Sequence, residues 1–322
     1  MPRKVWVSTT AFIAGGPTIA DNIARARQLL ELACAERPDI VCLSETFAYL
    51  GVKYRAAEVA EPVPGPITDM AAEVARRHST YIICPLLEQR GGKVYNVAVL
   101  LDRQGQIVGT YEKVHPVTTT ADYTELEYGV TPGVEPKVLQ TDFGRIGILI
   151  CFDLMFPREW ARLKAKGAEI VFWASAYNGG FPLQTYASLH HYYVVSAVNP
   201  DRARIVDITG RIIAMTSRRN PVISAELDLE KGLYHTDFNA VQIPAIRAHY
   251  GRDVLIQVYG DEAMFTLESR REDLAVAQIE AEFGLERLDD YLARNAGLHD
   301  TLREGKTPIP QQTPYLGRQQ WV

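Results

Sequence analysis

Cys151, Glu45 and Lys113 are the residues of this chain whose type and setting could make and break a covalent bond. Cys151 follows Ile146–Ile150, a nearly continuous apolar run that reads as a strand buried on both faces, and it precedes a helix start near Pro157 and Glu159. A thiol at such a lip lies close to the free backbone N–H groups of a helix entrance, which favour a thiolate and can donate to an oxyanion. It could equally be a small buried residue closing the strand, because free cysteine is among the most buried residue types. Cys151 has no obvious histidine partner, so a carboxylate is the candidate base. Glu45, at the end of the strand that begins at Ile40, stands at the same kind of lip, although by itself it could be an exposed loop acid. Lys113 closes a strand-like segment from Ile107, a place where a lone lysine is ordinarily a solvated edge charge. Glu125 and Glu127 lie between that lysine and the cysteine strand.

Other machinery is missing from the sequence. There is no Gly-x-Ser-x-Gly elbow, no His-Glu-x-x-His helix, no phosphate loop and no Gly-x-Gly-x-x-Gly turn. His190 and His191 are adjacent on a helix and point in different directions, so no metal site is expected there, and no cofactor is called for. Cysteines 34, 42, 84 and 151 are scattered without Cys-x-x-Cys spacing, which suggests neither zinc nor a disulfide framework and makes a reducing cytoplasm the expected setting. A net charge of -5 argues against general nucleic-acid binding. No apolar run approaches the roughly 18 residues that a membrane span requires. The N-terminal segment enters a strand at Val5 with no signal-peptide profile, so no leader is expected.

The elements that must carry these residues recur in order. Val5–Ser8 reads as a strand, 20–37 as a helix with Ile23, Ala26, Leu29, Leu30 and Ala33 at helical spacing, and Ile40–Leu43 as a strand. A Pro/Gly-rich loop at 62–66 leads to a helix at about 68–78, a strand at 81–87, and strands at 94–101 and 107–113 flanking a hairpin signal at 102–105. After Cys151 the order returns: a helix at about 159–166, a strand at 168–177, a helix at 183–190, and strands at 192–198 and 204–214. Two copies of one strand–helix run suggest an α/β fold of two similar sheets packed face to face, with helices on the outsides. In the second copy Ser175 stands where Glu45 stands in the first, so the acid belongs to one half only. Val222–Asp228 alternates as a further strand, 262–303 is charged and amphipathic, and 308–317 is proline-rich and extended. The expected division is a domain at 1–260 followed by a tail at 261–322 that serves oligomerisation.

Three blocks together resemble the catalytic blocks of the nitrilase superfamily of carbon–nitrogen hydrolases: Ser44–Phe47 at a strand end, Tyr111–Pro116, and Asp142–Asp153 around the cysteine. The likeness runs over roughly residues 3 to 260. It implies a four-layer α-β-β-α sandwich, with Glu45 as general base, Lys113 as oxyanion stabiliser and Cys151 as nucleophile. A second glutamate ahead of a Pro-Gly pair is usual in the family; Glu127 fits that arrangement best, with Glu125 as the alternative. Two departures stand out. Ser8, Thr9 and Thr10 occupy the place of a Gln-Phe-like pair, and Phe152-Asp153 follows the cysteine where true nitrilases carry Trp-Glu-Asn.

Those roles amount to acyl transfer to water, with the Phe152 backbone N–H as second oxyanion donor. The expected activity is hydrolysis of a small amide or N-carbamoyl compound. A nitrilase, and a non-catalytic binding protein on the same fold, are the alternatives. Phe47, Tyr49, Phe156, Tyr177 and Asn178, next to strand ends, are the candidate substrate-binding residues. The partners expected are a small-molecule amide, carbamoyl or nitrile substrate and further copies of the chain in a homodimer or larger assembly, with no nucleic acid and no membrane.

Overall fold

Apolar runs too short for helices alternate with 3.6-period segments, and the chain folds as that alternation requires. The structure, a computed structural model, describes residues 3–318. Two compact units divide it: Val5–Leu227, and residues 3–4 with the chain from Asp228 onward.

In the larger unit β1 (Lys4–Thr10), α1 (Ile19–Cys34) and β2 (Ile40–Cys42) form the first strand–helix–strand turn. A short helix α2 (Ala56–Val59), α3 (Pro66–His78), β3 (Tyr81–Arg90), β4 (Lys93–Leu101) and β5 (Ile107–Glu112) complete the first copy, and β6 (Val138–Gln140) follows. The second copy runs β7 (Arg145–Ile150), α4 (Pro157–Ala165), β8 (Ile170–Ser175), α5 (Phe181–His190), β9 (Tyr193–Val198), β10 (Arg204–Val206), β11 (Ile212–Met215) and then β12 (Val222–Asp228).

The sheets obey the repeat. One has the order β12-β1-β2-β3-β4-β5, the other β11-β10-β9-β8-β7-β6. In each copy the first three strands are parallel and the next two antiparallel. Each sheet is completed by the last strand of the other copy: β6 pairs antiparallel with β7, and β12 lies beside β1, where the Ala11 N–H donates to Pro221 O at 2.7 Å. Across the interface Thr9 Oγ1 donates to Ser196 O at 2.8 Å and Ser44 Oγ to Asn199 Oδ1 at 2.6 Å. Ala26, Leu30 and Ala33 of α1 and Ile67, Ala71 and Val74 of α3 are buried with Val41, Ile82 and Val99 of the first sheet. Trp160 and Leu163 of α4 and Leu183 and Ala187 of α5 are likewise buried on the second copy. Helix, sheet, sheet and helix give the expected four layers.

The smaller unit holds β13 (Gly232–His235), α6 (Ile243–Tyr250), β14 (Val254–Tyr259), β15 (Met264–Ser269), α7 (Val276–Phe283) and α8 (Leu288–Arg303). Its sheet has the order β13-β15-β14, and Tyr234, Ile246, Phe265, Leu267 and Ile279 form its core. A cut between 260 and 261 would fall in the turn between paired strands β14 and β15, so compactness divides the chain earlier, after Leu227. The charged, amphipathic segment from 262 opens with a strand, β15, ahead of its helices α7 and α8.

Candidate active site

Parallel strands end at one edge of each sheet, and there the chemistry collects. Glu45 follows β2 and is 3% exposed; Lys113 follows β5 and is 1% exposed; Cys151 follows β7 and is 8% exposed. Together with Glu127 from the loop between β5 and β6 they line one cavity of about 250 Å³. Thr46, Tyr54, Asn96, Val117, Thr119 and Tyr128 also form its wall.

Lys113 Nζ lies 2.8 Å from Glu45 Oε1 and forms a second ion pair with Glu127. Burial works to lower the lysine pKa, but the charges of Glu45 and Glu127 beside it raise the value, so the group stays an ammonium. Asn96, buried in the middle of β4, ties the acids together. Its Nδ2 donates to Glu45 Oε1 and to Glu127 Oε2, both at 2.9 Å, and its carbonyl accepts the Lys113 N–H at 2.8 Å. The Ala176 N–H donates to Glu45 Oε2 at 2.9 Å, and the Val117 N–H to Glu127 Oε1 at 3.0 Å. Glu127 and Tyr128 have positive φ values, 41° and 58°, a left-handed turn that non-glycine residues rarely adopt and that surrounding contacts must hold. Glu125, the alternative second glutamate, instead pairs with Arg55.

The nucleophile candidate sits on a turn of its own. A 3₁₀ turn, Cys151–Met155, intervenes between β7 and α4, so the Phe152 N–H opens that turn and not the α-helix. An N–H in a first turn has no partner within its own helix, which leaves it available to an oxyanion. Cys151 itself has φ 47°. Trp173 Nε1 donates to Cys151 O at 3.0 Å, which fixes the strained residue from behind. Ser175 and Glu45, the matching strand-end positions of the two copies, both lie close enough to act on the thiol. Burial, then the charge of Glu45, push the thiol up to about 12, with Lys113 working the other way. The neutral thiol is thereby the favoured form.

Asp153 braces this turn against the lysine strand. It is fully buried, and its Oδ2 accepts from Tyr111 Oη at 2.7 Å and the Ile150 N–H at 2.9 Å, while Oδ1 accepts the His115 N–H at 2.9 Å. Tyr111 and His115 flank Lys113, so one carboxylate sets the spacing between Lys113 and Cys151. Burial pushes its pKa up to about 6.

Two of the five substrate-binding candidates turn into the core. Phe47 and Tyr49 lie in a 3₁₀ turn, Phe47–Tyr49, that tucks both rings into the core; Tyr49 Oη accepts the Leu87 N–H at 3.2 Å. Phe156 stacks on His115 with ring centres 3.5 Å apart and stands outside the cavity wall. Asn178 is also outside it, its carbonyl accepting the Gly180 N–H. Tyr177 is 38% exposed, packs edge-on against Trp173, and lies near Cys151 and Glu45.

The model of the carbon-nitrogen hydrolase family matches residues 11–232, which includes every one of these groups. The chain belongs to this family. It is thus an enzyme of carbon–nitrogen bond hydrolysis, as the three sequence blocks implied. A beta-ureidopropionase of Arabidopsis thaliana is 30% identical over 188 residues, 54% of this chain and 46% of the plant protein, so the chain spans less than half of that relative. The omega-amidase NIT2 of Xenopus tropicalis is 28% identical over 250 residues, 70% of this chain and 90% of the frog protein. Among solved structures, Saccharomyces cerevisiae Nit3, a member of branch 10 of the nitrilase superfamily, shares the fold with a TM-score of 0.61 at 20% identity, covering 77% of this chain and 94% of that one.

No described helix is long and apolar enough to cross a membrane. Among the described residues no group of three or more His, Cys, Asp or Glu side chains is arranged to hold a metal ion.

Proposed function

We propose that the chain hydrolyses a small carboxamide or N-carbamoyl compound through a thioester on Cys151. The observation that carries this reading is the meeting of Glu45, Lys113, Glu127 and Cys151 on one cavity. Glu45 takes the thiol proton as sulfur attacks the carbonyl carbon, and the oxygen that becomes negative is held by the Lys113 ammonium and the Phe152 N–H. The carbon–nitrogen bond then breaks, Glu45 returns the proton to the departing nitrogen, and ammonia or an amine leaves. Water, deprotonated by Glu45, attacks the thioester, and its second collapse releases the carboxylic acid (or carbamate) and the thiol. Glu127 keeps Lys113 aimed at the oxyanion. The neutral resting thiol supports a base-assisted attack over a preformed thiolate.

The test is ammonia release from a carboxamide and from its matching nitrile, with mass spectrometry for an acyl adduct on Cys151. Amide turnover with an adduct is expected, and Cys151→Ala should abolish both. Full amidase activity in that variant would sink the scheme. A nitrile turned over faster than its amide would favour a nitrilase, and a wild-type protein inert to every amide, carbamoyl compound and nitrile would favour a binding role.

The same reading includes a reducing, cytoplasmic setting, supported by four unpaired cysteines, and self-association through the C-terminal segment. Leu292, Leu298 and Leu302 of α8 are 49%, 37% and 54% exposed, which suits burial against another copy. Leu298→Glu with Leu302→Glu should then lower the mass measured by light scattering; an unchanged mass counts against that role.

A further inference from the structure

The electrical balance of the cavity bears on what can enter it. Two carboxylates, Glu45 and Glu127, face one ammonium, Lys113, which is paired with both, and 1 − 2 leaves a net charge of −1. Among the described residues of the wall there is no second cation. Of the basic side chains on adjoining segments, Arg55 pairs with Glu125, Lys53 is exposed and outside the wall, and His115 stacks on Phe156. The rest of the wall is neutral. Tyr54 and Tyr128 meet edge to face with centres 6.5 Å apart, and Leu87 and Val117 are apolar. Tyrosine rings present negative faces that accept a cation and repel an anion.

The cavity is also small. A sphere of its volume is about 8 Å wide, close to the Debye length at physiological ionic strength, so dissolved salt hardly screens charges inside it. A carboxylate carried on the acyl chain would sit beside Glu45 or Glu127, desolvated and without a counter-ion. Tyr54 reports the same field: burial first, then the charges of Glu45 and Glu127, push its hydroxyl up to about 12.

We infer that the site takes amides whose acyl chain is uncharged or cationic and discriminates against those bearing a carboxylate. This rests on the amidase reading above and narrows it to a substrate class.

Three amides of similar size decide it: butanamide, 3-aminopropanamide and succinamate, compared by kcat/KM for ammonia release. The neutral and cationic amides should each exceed succinamate by at least about tenfold, the scale expected for one unscreened like-charge contact. Val117→Lys, which adds a cation to the wall and keeps the backbone N–H that serves Glu127, should move the ratio toward succinamate. Succinamate hydrolysed as fast as the others, with release dependent on Cys151, would overturn the inference and leave the amidase reading intact. Turnover of none of the three would overturn the inference, and inertness toward carbamoyl compounds and nitriles as well would overturn the reading it rests on.

Discussion

Asn96→Asp exchanges one NH₂ for one oxygen at the point where Glu45, Glu127 and Lys113 meet, and its cost follows from the distances. The wild-type amide nitrogen donates to both carboxylates at 2.9 Å. Each is a hydrogen bond to a charged group, contributing about 1.5–3 kcal/mol, so about 3–6 kcal/mol of local fixation is at stake. The substitution does more than remove them, because it brings a third carboxyl against two carboxylates that share a single lysine. Like charges at that range raise the pKa of one member, and the introduced carboxyl should hold its proton well above the ordinary aspartate range. Above that pKa the three acids repel, Glu45 moves off line, and a displacement of about 1 Å can cost about a hundredfold in rate. Below it the protonated carboxyl can restore one of the two donors. The assay is kcat against pH for wild type, Asn96→Asp and Asn96→Ala. Asn96→Asp should lose about a hundredfold at pH 8 and recover part of it on acidification relative to Asn96→Ala, which has nothing to titrate. A kcat for Asn96→Asp within about threefold of wild type at pH 8 would refute the assignment of Asn96 as the link between the two acids.

Other outcomes follow from the same geometry. Lys113→Ala should lower kcat by at least about a hundredfold, the loss typical of one oxyanion donor, and urea titration should separate that loss from unfolding. Alkylation of Cys151 by iodoacetamide should quicken about tenfold per pH unit from pH 7 to 10, since the thiol is pushed up to about 12; a plateau near pH 8 would show a thiolate already formed. Asp153→Asn sets an NH₂ against buried donors and should cost about 2–4 kcal/mol in urea unfolding. The Asp153 pKa is raised to about 6 from 3.8, so the contribution of its protonation to folding is complete below about 4 and lost as pH rises through 6. The stability gap between wild type and Asp153→Asn should therefore narrow from pH 4 to pH 7, and a gap that widens would reverse the assigned direction.

What could be read from the chain, and what could not, divides along physical lines. The strand ends at Glu45 and Cys151 were legible because apolar runs stop abruptly there, and the two-sheet fold because strand and helix runs recur in order; Lys113 ends a mixed strand and stood out through the block around it. Glu127 and Glu125 were harder to tell apart: two residues separate them, and a left-handed turn at 127–128 sends one to Lys113 and the other to Arg55. Phe47 and Tyr49 misled because being next to a strand end says nothing about which way a turn folds; here it folds back into the core. Asn96 carries a signal in the sequence, a single amide inside the largely apolar run 94–101 of a central strand, where a buried polar group needs partners. Tyr54, Thr119 and Tyr128 sit on irregular segments whose course depends on tertiary contacts, and no periodicity marks them.

The placement of β6 and β12 carries a consequence for how the chain is assembled. Each closes the sheet that the other copy begins, which is the arrangement of two half-length chains that have traded their final strands. Joined in one polypeptide, the first sheet cannot reach its full width until β12 has left the ribosome, whereas β6 is already made when the second sheet begins. Partial folds on the ribosome would then expose β1 as an open edge, a hazard for pairing with a neighbouring chain. Once β12 docks, cutting the chain between the copies would leave two pieces clasped by each other's strands, so the active-site cleft belongs to both halves or to neither.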